Sequence, residues 1–242
     1  LAERMDSTSW PRVAVVGAGA VGGYFGGMLA RTGARVTLIG RPGHVDVWKR
    51  DGLFLESIHF QEHIAVEAST DIAASADAEL VLFCVKSPDT EETARQLSCH
   101  VRRDAMIVSL QNGVDNVERI RAAAALDPIA AVVYVASSMS APGHVKHAGR
   151  GDLVIGDFPE RSGTARDETI AVVSKWFETA GVPCRVSQHI DADLWTKLIV
   201  NAALNAISAV VQVPYGAIAA TAESRETVRD LVNECVAVAR AD

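Results

Sequence analysis

The chain has 242 residues, 49% of them hydrophobic, and a formal net charge of −7. That is apolar material for one large or two modest domains, and the acidic balance argues against a nucleic-acid or anionic-membrane surface. The four cysteines, Cys84, Cys99, Cys184 and Cys235, form no C-x-x-C pattern. They read as reduced thiols of a cytoplasmic protein, not as a disulfide framework.

In chain order, the first eleven residues, LAERMDSTSWP, carry no apolar h-region and so read as no secretory signal; Met5 is a candidate natural start. Val13 to Val16 predicts a buried strand. It ends in Gly17-Ala18-Gly19-Ala20-Val21-Gly22, which fits the dinucleotide fingerprint G-x-G-x-x-G. A helix to about Thr32, with Gly33 suited to its C-terminal end, and a second strand from Val36 to Ile39 supply the context this fingerprint needs. Gly17 permits the tight turn, Gly19 lets backbone approach a pyrophosphate, and Gly22 lets the helix pack closely on the strand. Ala20 and Val21 open the helix, whose free N–H groups and positive dipole end face the phosphates. After the second strand, NAD sites usually place an Asp or Glu for the ribose; this chain has Gly40-Arg41. A guanidinium can bind a 2′-phosphate bidentately, so the expected cofactor is NADP(H). The plainer reading of Arg41 is a solvated loop arginine.

His44 to Asp51 predicts a short helix, and LFLES and HIAVEAS two extended pieces. Glu79 to Val85 and Ala105 to Leu110 read as buried parallel strands, each followed by a helix, Asp89 to His100 and Val114 to Ala125. This alternation predicts a doubly wound sheet, whose ligand lies outside the carboxyl ends of the strands. Lys86 and Gln111-Asn112-Gly113 follow two such ends and share a rim with the glycine loop. Lys86 could meet a phosphate or the substrate, and Asn112 the ribose or carboxamide of the nicotinamide half. The plainer reading is turn chemistry at Asn112-Gly113 and a solvated Lys86. Ile129 to Ser140, His144 to His147 and Leu153 to Ile155 read as a meander at the sheet edge. Its histidines lack a clustered third ligand, and His59 and His63 are about 13 Å apart in an extended segment, so no metal site is expected. Thr164 to Ala180 predicts a helix and Cys184 to Val186 a last strand.

From Asp191 onwards the pattern is helical. No apolar run is expected to span a bilayer, because Asn201 and Asn205 interrupt the longest candidate. Lys197, Asn201 and Asn205, at i, i+4 and i+8, form a polar stripe on an Ala, Leu, Ile and Val helix. Such a stripe is usually a solvated face. Here it is narrow, and mid-helix asparagines carry a propensity cost that packing or function should offset. A nicotinamide site together with a lysine and two asparagines suggests carbonyl reduction: hydride reaches a ketone carbon, and a lysine ammonium stabilises the oxyanion and donates the proton.

The segments VAVVGAGAVGGYFGGMLARTG, VKS, QNG, PGHVKHAGRGDLVIG and LWTKLIVNAALNAISA together resemble the ketopantoate reductase family. The resemblance implies an α/β fold: an N-terminal Rossmann-type doubly wound sheet over residues 12–188, then an all-helical substrate and dimerisation domain over 189–242. It implies NADPH-dependent reduction of 2-dehydropantoate to pantoate, in pantothenate and coenzyme A biosynthesis. By the resemblance Lys197 is the catalytic general acid, and Asn201 and Asn205 orient the substrate. Arg41 and Asn112 contact NADP(H), and Lys86 lies close to the active site. The family continues into helices bearing a substrate-binding Ser and an active-site Glu. This chain ends at Asp242 before them, so the helical domain is expected to be incomplete and to expose apolar surface. Its partners are expected to be a small 2-oxo acid and a second copy of the chain. The alternatives are a 3-hydroxyisobutyrate-type hydroxyacid dehydrogenase and a non-catalytic NADP(H)-binding sensor module.

Overall fold

The structure, a computed structural model, describes residues 10–161 and 163–241; most of the leader discussed above lies outside them. The chain divides into two compact units, Leu1–Ile190 and Asp191–Asp242.

The first unit is built on one mixed sheet. Strand β1 (Arg12–Val16) lies between β2 (Arg35–Ile39) and β6 (Leu80–Phe83), parallel to both. Beyond β6 come β7 (Met106–Ser109) and β8 (Ile129–Ala141), also parallel. The chain thus leaves β1 to one side through helix α1 (Ala20–Arg31) and returns on the other at β6. This is the switch point at which doubly wound sheets hold ligands. Alternate β-carbons feed two cores. Val13, Val15, Leu80, Leu82 and Val108 face α1 and α5 (Thr164–Thr179), whereas Ala14, Val16, Val81, Phe83 and Ile107 face α3 (Thr90–Ser98) and α4 (Asn116–Ala123). Phe25 and Phe177 are fully buried on the first side. Burial contributes about 1.5–3 kcal/mol for each such side chain, more than an exposed ion pair.

Helix α1 stops as its sequence predicts. The N–H of Gly33, at φ 105°, donates to Ala30 O at 3.0 Å, and that of Ala34 to Leu29 O at 3.2 Å, the paired bonds of a Schellman motif. Its four inner glycines have a purpose the fingerprint covers only in part. Cβ atoms on Gly22 and Gly26 would lie 2.6 and 2.7 Å from Val15 side-chain carbons; those on Gly23 and Gly27 would meet Val145 and Leu53, each at 2.7 Å. The helix therefore sits in contact on two faces at once, which offsets the poor helix propensity of glycine.

Three expectations are corrected here. HIAVEAS is not one strand. β4 (Gln61–Ile64) pairs antiparallel with β3 (Leu53–Glu56), while β5 (Glu67–Ser69) runs parallel beside β2, at the other end of the sheet. The segments 144–147 and 153–155 belong to one strand, β9 (His144–Gly156), paired with β8 through register shifts at Tyr134/Val135, Ala136/Ser137 and Met139/Ala141. Gly151 is left unpaired at the first shift, Ala148 at the second and Ser140 of β8 at the third, and Gly149, Arg150 and Gly151 all take positive φ. Nor is this hairpin a meander at the edge, because β3 and β4 pair outside it and β10 (Cys184–Val186) also joins β9. Only Ile129 and Ala130 of β8 pair with β7, so the hairpin continues past the carboxyl ends of the parallel strands.

The second unit is helical. α6 (Ile190–Val200), a π-helical turn (Asn201–Asn205) and α7 (Ala206–Val211) follow without interruption, then α8 (Tyr215–Ile218) and α9 (Ala222–Ala239). Thr221 caps α9, its hydroxyl accepting from Ser224 N at 3.2 Å. The expectation about membrane spans is also corrected: Ile190–Val211 forms one helix of 22 residues, long and apolar enough to cross a bilayer by length and composition. Asn201 and Asn205 interrupt the apolar sequence but not the helix. Val200, Val210, Val211, Tyr215 and Val238 are exposed on this unit.

Candidate active site

The glycine loop leaves β1 at its carboxyl end. Gly17 sits at φ 80°, and a Cβ there would lie 2.5 Å from Val85 Cγ1 and 2.7 Å from Val85 N. Only glycine fits both the backbone conformation and that approach. The N–H groups of Gly17 and Ala18 donate to Ile39 O at 3.1 and 2.8 Å, tying the loop to the end of β2. Gly19 precedes α1 with ordinary extended dihedrals, φ −112° and ψ −150°, and no side chain caps the helix. A Cβ on Gly19 would meet nothing nearer than Gly17 O at 3.9 Å. The loop therefore presents a bare, open cradle at a helix N-terminus, the shape and polarity a pyrophosphate needs. Gly22 packs on Val15 and Cys84. Burial pushes the Cys84 thiol well above its ordinary pKa, which disfavours its thiolate.

The end of β2 leads to Arg41. Gly40 N donates to Ser69 O at 3.0 Å. Arg41 follows, exposed, at the start of α2 (Pro42–Asp51), with Pro42 in the first turn and no acidic residue there.

Lys86 and Asn112 are both exposed just past the ends of β6 and β7. Lys86 begins a 3-10 turn, Ser87–Asp89, that delays α3 to Thr90, one residue later than its sequence suggests. Between the two sits Gln111, which is buried. Sequence reasoning noted Gln111 only as part of a turn; its burial among β7, β6 and α3 depends on long-range pairing and leaves no local signal.

In the second unit Lys197 and Asn201 are half-buried and Asn205 is exposed. The Asn205 amide donates to Asn201 Oδ1 at 3.0 Å. The bond crosses the π-helical turn, a local widening often found at functional sites. Asn201 then keeps its own N–H2 to donate elsewhere.

The histidines of the hairpin serve the fold. His147 Nε2 lies 2.6 Å from Arg150 O and its Nδ1 3.1 Å from Ser57 Oγ. A carbonyl only accepts, so Nε2 carries the proton and Nδ1 accepts from the serine. His144 Nε2 and Lys146 Nζ flank Glu56 at 2.9 and 2.8 Å. Among the described residues no group of three His, Cys, Asp or Glu could hold a metal. The Lys146 bond, with His144 adding to it, holds the Glu56 carboxyl below the usual range. A depressed folded pKa contributes stability above the unfolded value, about 4.3 for glutamate, and loses it as pH falls through the folded value. Glu56→Gln is thus expected to melt slightly below the parent at pH 7. The gap should close as the pH drops through that window; a gap that persists in acid would assign the effect to packing.

The chain matches the family described as ketopantoate reductase PanE/ApbA over residues 13–160, and that family's C-terminal domain over residues 189–242. A 2-dehydropantoate 2-reductase of Pyrococcus horikoshii is 34% identical over 207 residues, covering 86% of this chain and 66% of the relative. One from Halobacterium salinarum is 32% identical, covering 96% and 76%. A crystal structure described as a PanE/ApbA family ketopantoate reductase from Ralstonia eutropha superposes with a TM-score of 0.85 at 46% identity, covering 95% of this chain and 74% of that one. The chain thus spans about two thirds to three quarters of the length of these relatives.

Proposed function

The chain belongs to the ketopantoate reductase family, and from that premise we propose that it reduces 2-dehydropantoate (ketopantoate) to pantoate with NADPH. The observation that carries this reading is the family match across both units, residues 13–160 and 189–242. When bound, the cofactor supplies the hydride. The chain's own residues do the rest. The open cradle at Gly17, Gly19, Ala20, Val21 and Gly22 takes the pyrophosphate, Arg41 takes the 2′-phosphate, and Asn112 bonds the nicotinamide half. Lys86 offers a positive charge to a phosphate or to the substrate carboxylate. Lys197 donates the proton to the carbonyl oxygen as negative charge grows there. Asn201, its carbonyl engaged by Asn205, presents amide N–H groups that orient the substrate.

The test is oxidation of NADPH followed by absorbance, with ketopantoate beside a panel of other 2-oxo acids. Turnover with ketopantoate in preference to the panel is expected. Preference for a different 2-oxo acid keeps the mechanism and changes the substrate; NADPH binding without any turnover favours the sensor alternative. Arg41→Ala is expected to weaken NADPH binding about tenfold to a hundredfold, the worth of one hydrogen bond to a charged group. NADH, which lacks the 2′-phosphate, should bind about as before. Equal losses for both cofactors would remove Arg41 from the 2′-phosphate.

A further inference from the structure

Strands β6 and β7 pair as far as Leu110, whose N–H donates to Phe83 O at 2.9 Å. Past that bond the two chains diverge, and the Gln111 side chain bridges them. Its Nε2 donates to Val85 O at 3.1 Å and to Thr90 Oγ1 at 2.8 Å, and its Oε1 accepts from Ser109 Oγ at 3.2 Å. Gln111, Ser109 and Thr90 are all buried. A buried amide with both ends engaged holds one orientation, because any rotation leaves polar atoms unpaired.

The bridged residues adjoin the rim. Val85 precedes Lys86 and is the residue against which Gly17 packs; Gln111 precedes Asn112. Each is also held from its far side. Arg119 Nη2 donates to Ser87 O at 2.8 Å while its guanidinium pairs with Glu91, and Asn116 Nδ2 donates to Asn112 O at 3.0 Å. Of the described side chains named here, Gln111 is the one whose bonds reach from the end of β7 to the end of β6, beyond the last backbone bond between the two strands.

We propose that Gln111 is a positioning residue for the nicotinamide half of the cofactor site: it touches no ligand and holds Lys86 and Asn112 in register across the gap between β6 and β7. The inference rests on the NADP(H) reading above. Displacement of binding groups by about 1 Å can cost on the order of a hundredfold in a positioned site. Arg41 and its corner, at the other end of the cofactor, do not depend on Gln111.

The experiment compares Gln111→Glu and Gln111→Leu with the parent chain. Gln111→Glu keeps shape and the acceptor for Ser109, lets Thr90 turn its hydroxyl to donate, and breaks only the bond to Val85 O. The readouts are affinity for NADPH, the fluorescence of its bound dihydronicotinamide ring, and affinity for adenosine 2′,5′-bisphosphate, which lacks the nicotinamide half. Gln111→Glu is expected to bind NADPH at least about tenfold more weakly, with the enhanced ring fluorescence lost, and to hold the bisphosphate as the parent does. Acidification that protonates the buried carboxyl should restore the donor to Val85 O and recover NADPH affinity, a rescue that a general packing role would not produce. Should Gln111→Leu fail to fold, Gln111→Glu and its pH profile still decide the matter. Parental NADPH affinity and fluorescence in Gln111→Glu, or equal loss of both ligands without acid rescue, overturns the inference alone. Failure of the parent to bind either ligand overturns the cofactor reading and the inference with it.

Discussion

Lys197→Ala is expected to lower turnover about 10²- to 10⁴-fold, the range over which a positioned general acid contributes. The affinity for NADPH should change by less than about threefold, since a group whose interaction is made in the transition state affects kcat and not ground-state binding. Lys197 lies on α6, four residues before the π-helical turn that begins at Asn201, and is half-buried there. Lys197 is the one lysine or arginine of α6 and of the π-helical turn after it, so its ammonium is the cation this segment can bring to a developing alkoxide. An ammonium both stabilises that charge and carries the proton the alcohol requires. Lys197→Arg separates the two roles: it keeps the charge, but a guanidinium holds its proton far more tightly than an ammonium and makes a poor proton donor. It should therefore recover little of the lost rate. An unchanged turnover number in Lys197→Ala would remove the general acid from this lysine. Absence of turnover in the parent, with NADPH still bound, would favour the sensor alternative.

The parts of the molecule legible in the amino-acid sequence are those governed by local chemistry. Gly17 to Gly22 could be placed on a strand-to-helix turn because the apolar run before it and the helical pattern after it are local, and Gly33 ends α1 for an equally local reason. What the sequence hid was non-local. HIAVEAS alternates like a single strand, yet Ile64 pairs with Leu53 and Ala68 with Leu38, on strands at opposite ends of the sheet. The choice is made by partners distant in the chain, which periodicity cannot register. The long hairpin looked like separate strands because Gly149, Arg150 and Gly151 resemble a turn; all three lie inside β9, where the register with β8 shifts. The polar stripe on the second unit was counted on an α-helical period, and Asn201–Asn205 is a π-helical turn. A wider turn changes which residues stack, and no residue type announces it. Gln111 is the clearest case: its residue type suits a surface turn, and only the divergence of β6 from β7 turns it into a buried bridge.

Gly19→Ala is expected to leave the fold intact and to weaken dinucleotide binding by at least about a hundredfold. The two halves of this expectation come from different properties of one position. Gly19 has a φ of −112°, which any residue adopts, and the space where its Cβ would stand is open. Two small effects on stability oppose each other. Alanine is a poorer residue than glycine before a helix, by up to about 1 kcal/mol, while it stabilises by about 0.4–1 kcal/mol through the reduced freedom of the unfolded chain. The melting temperature should therefore move little. Binding is different, because the open space is where the fingerprint brings backbone against pyrophosphate. A methyl group there separates phosphate oxygens from the N–H groups at the start of α1, and each charge-assisted bond lost is worth about 1.5–3 kcal/mol. The pyrophosphate is common to both nicotinamide dinucleotides, so NADPH and NADH should suffer alike, in contrast to the selective loss expected of Arg41→Ala. Gly17→Ala would not make the same distinction, since its Cβ would strike Val85 backbone atoms at a φ of 80° and damage fold and binding together. Undiminished binding by a stably folded Gly19→Ala chain would mean that the dinucleotide, if held at all, does not lie over this loop, and the cofactor assignment from Gly17 to Gly22 would fall with it.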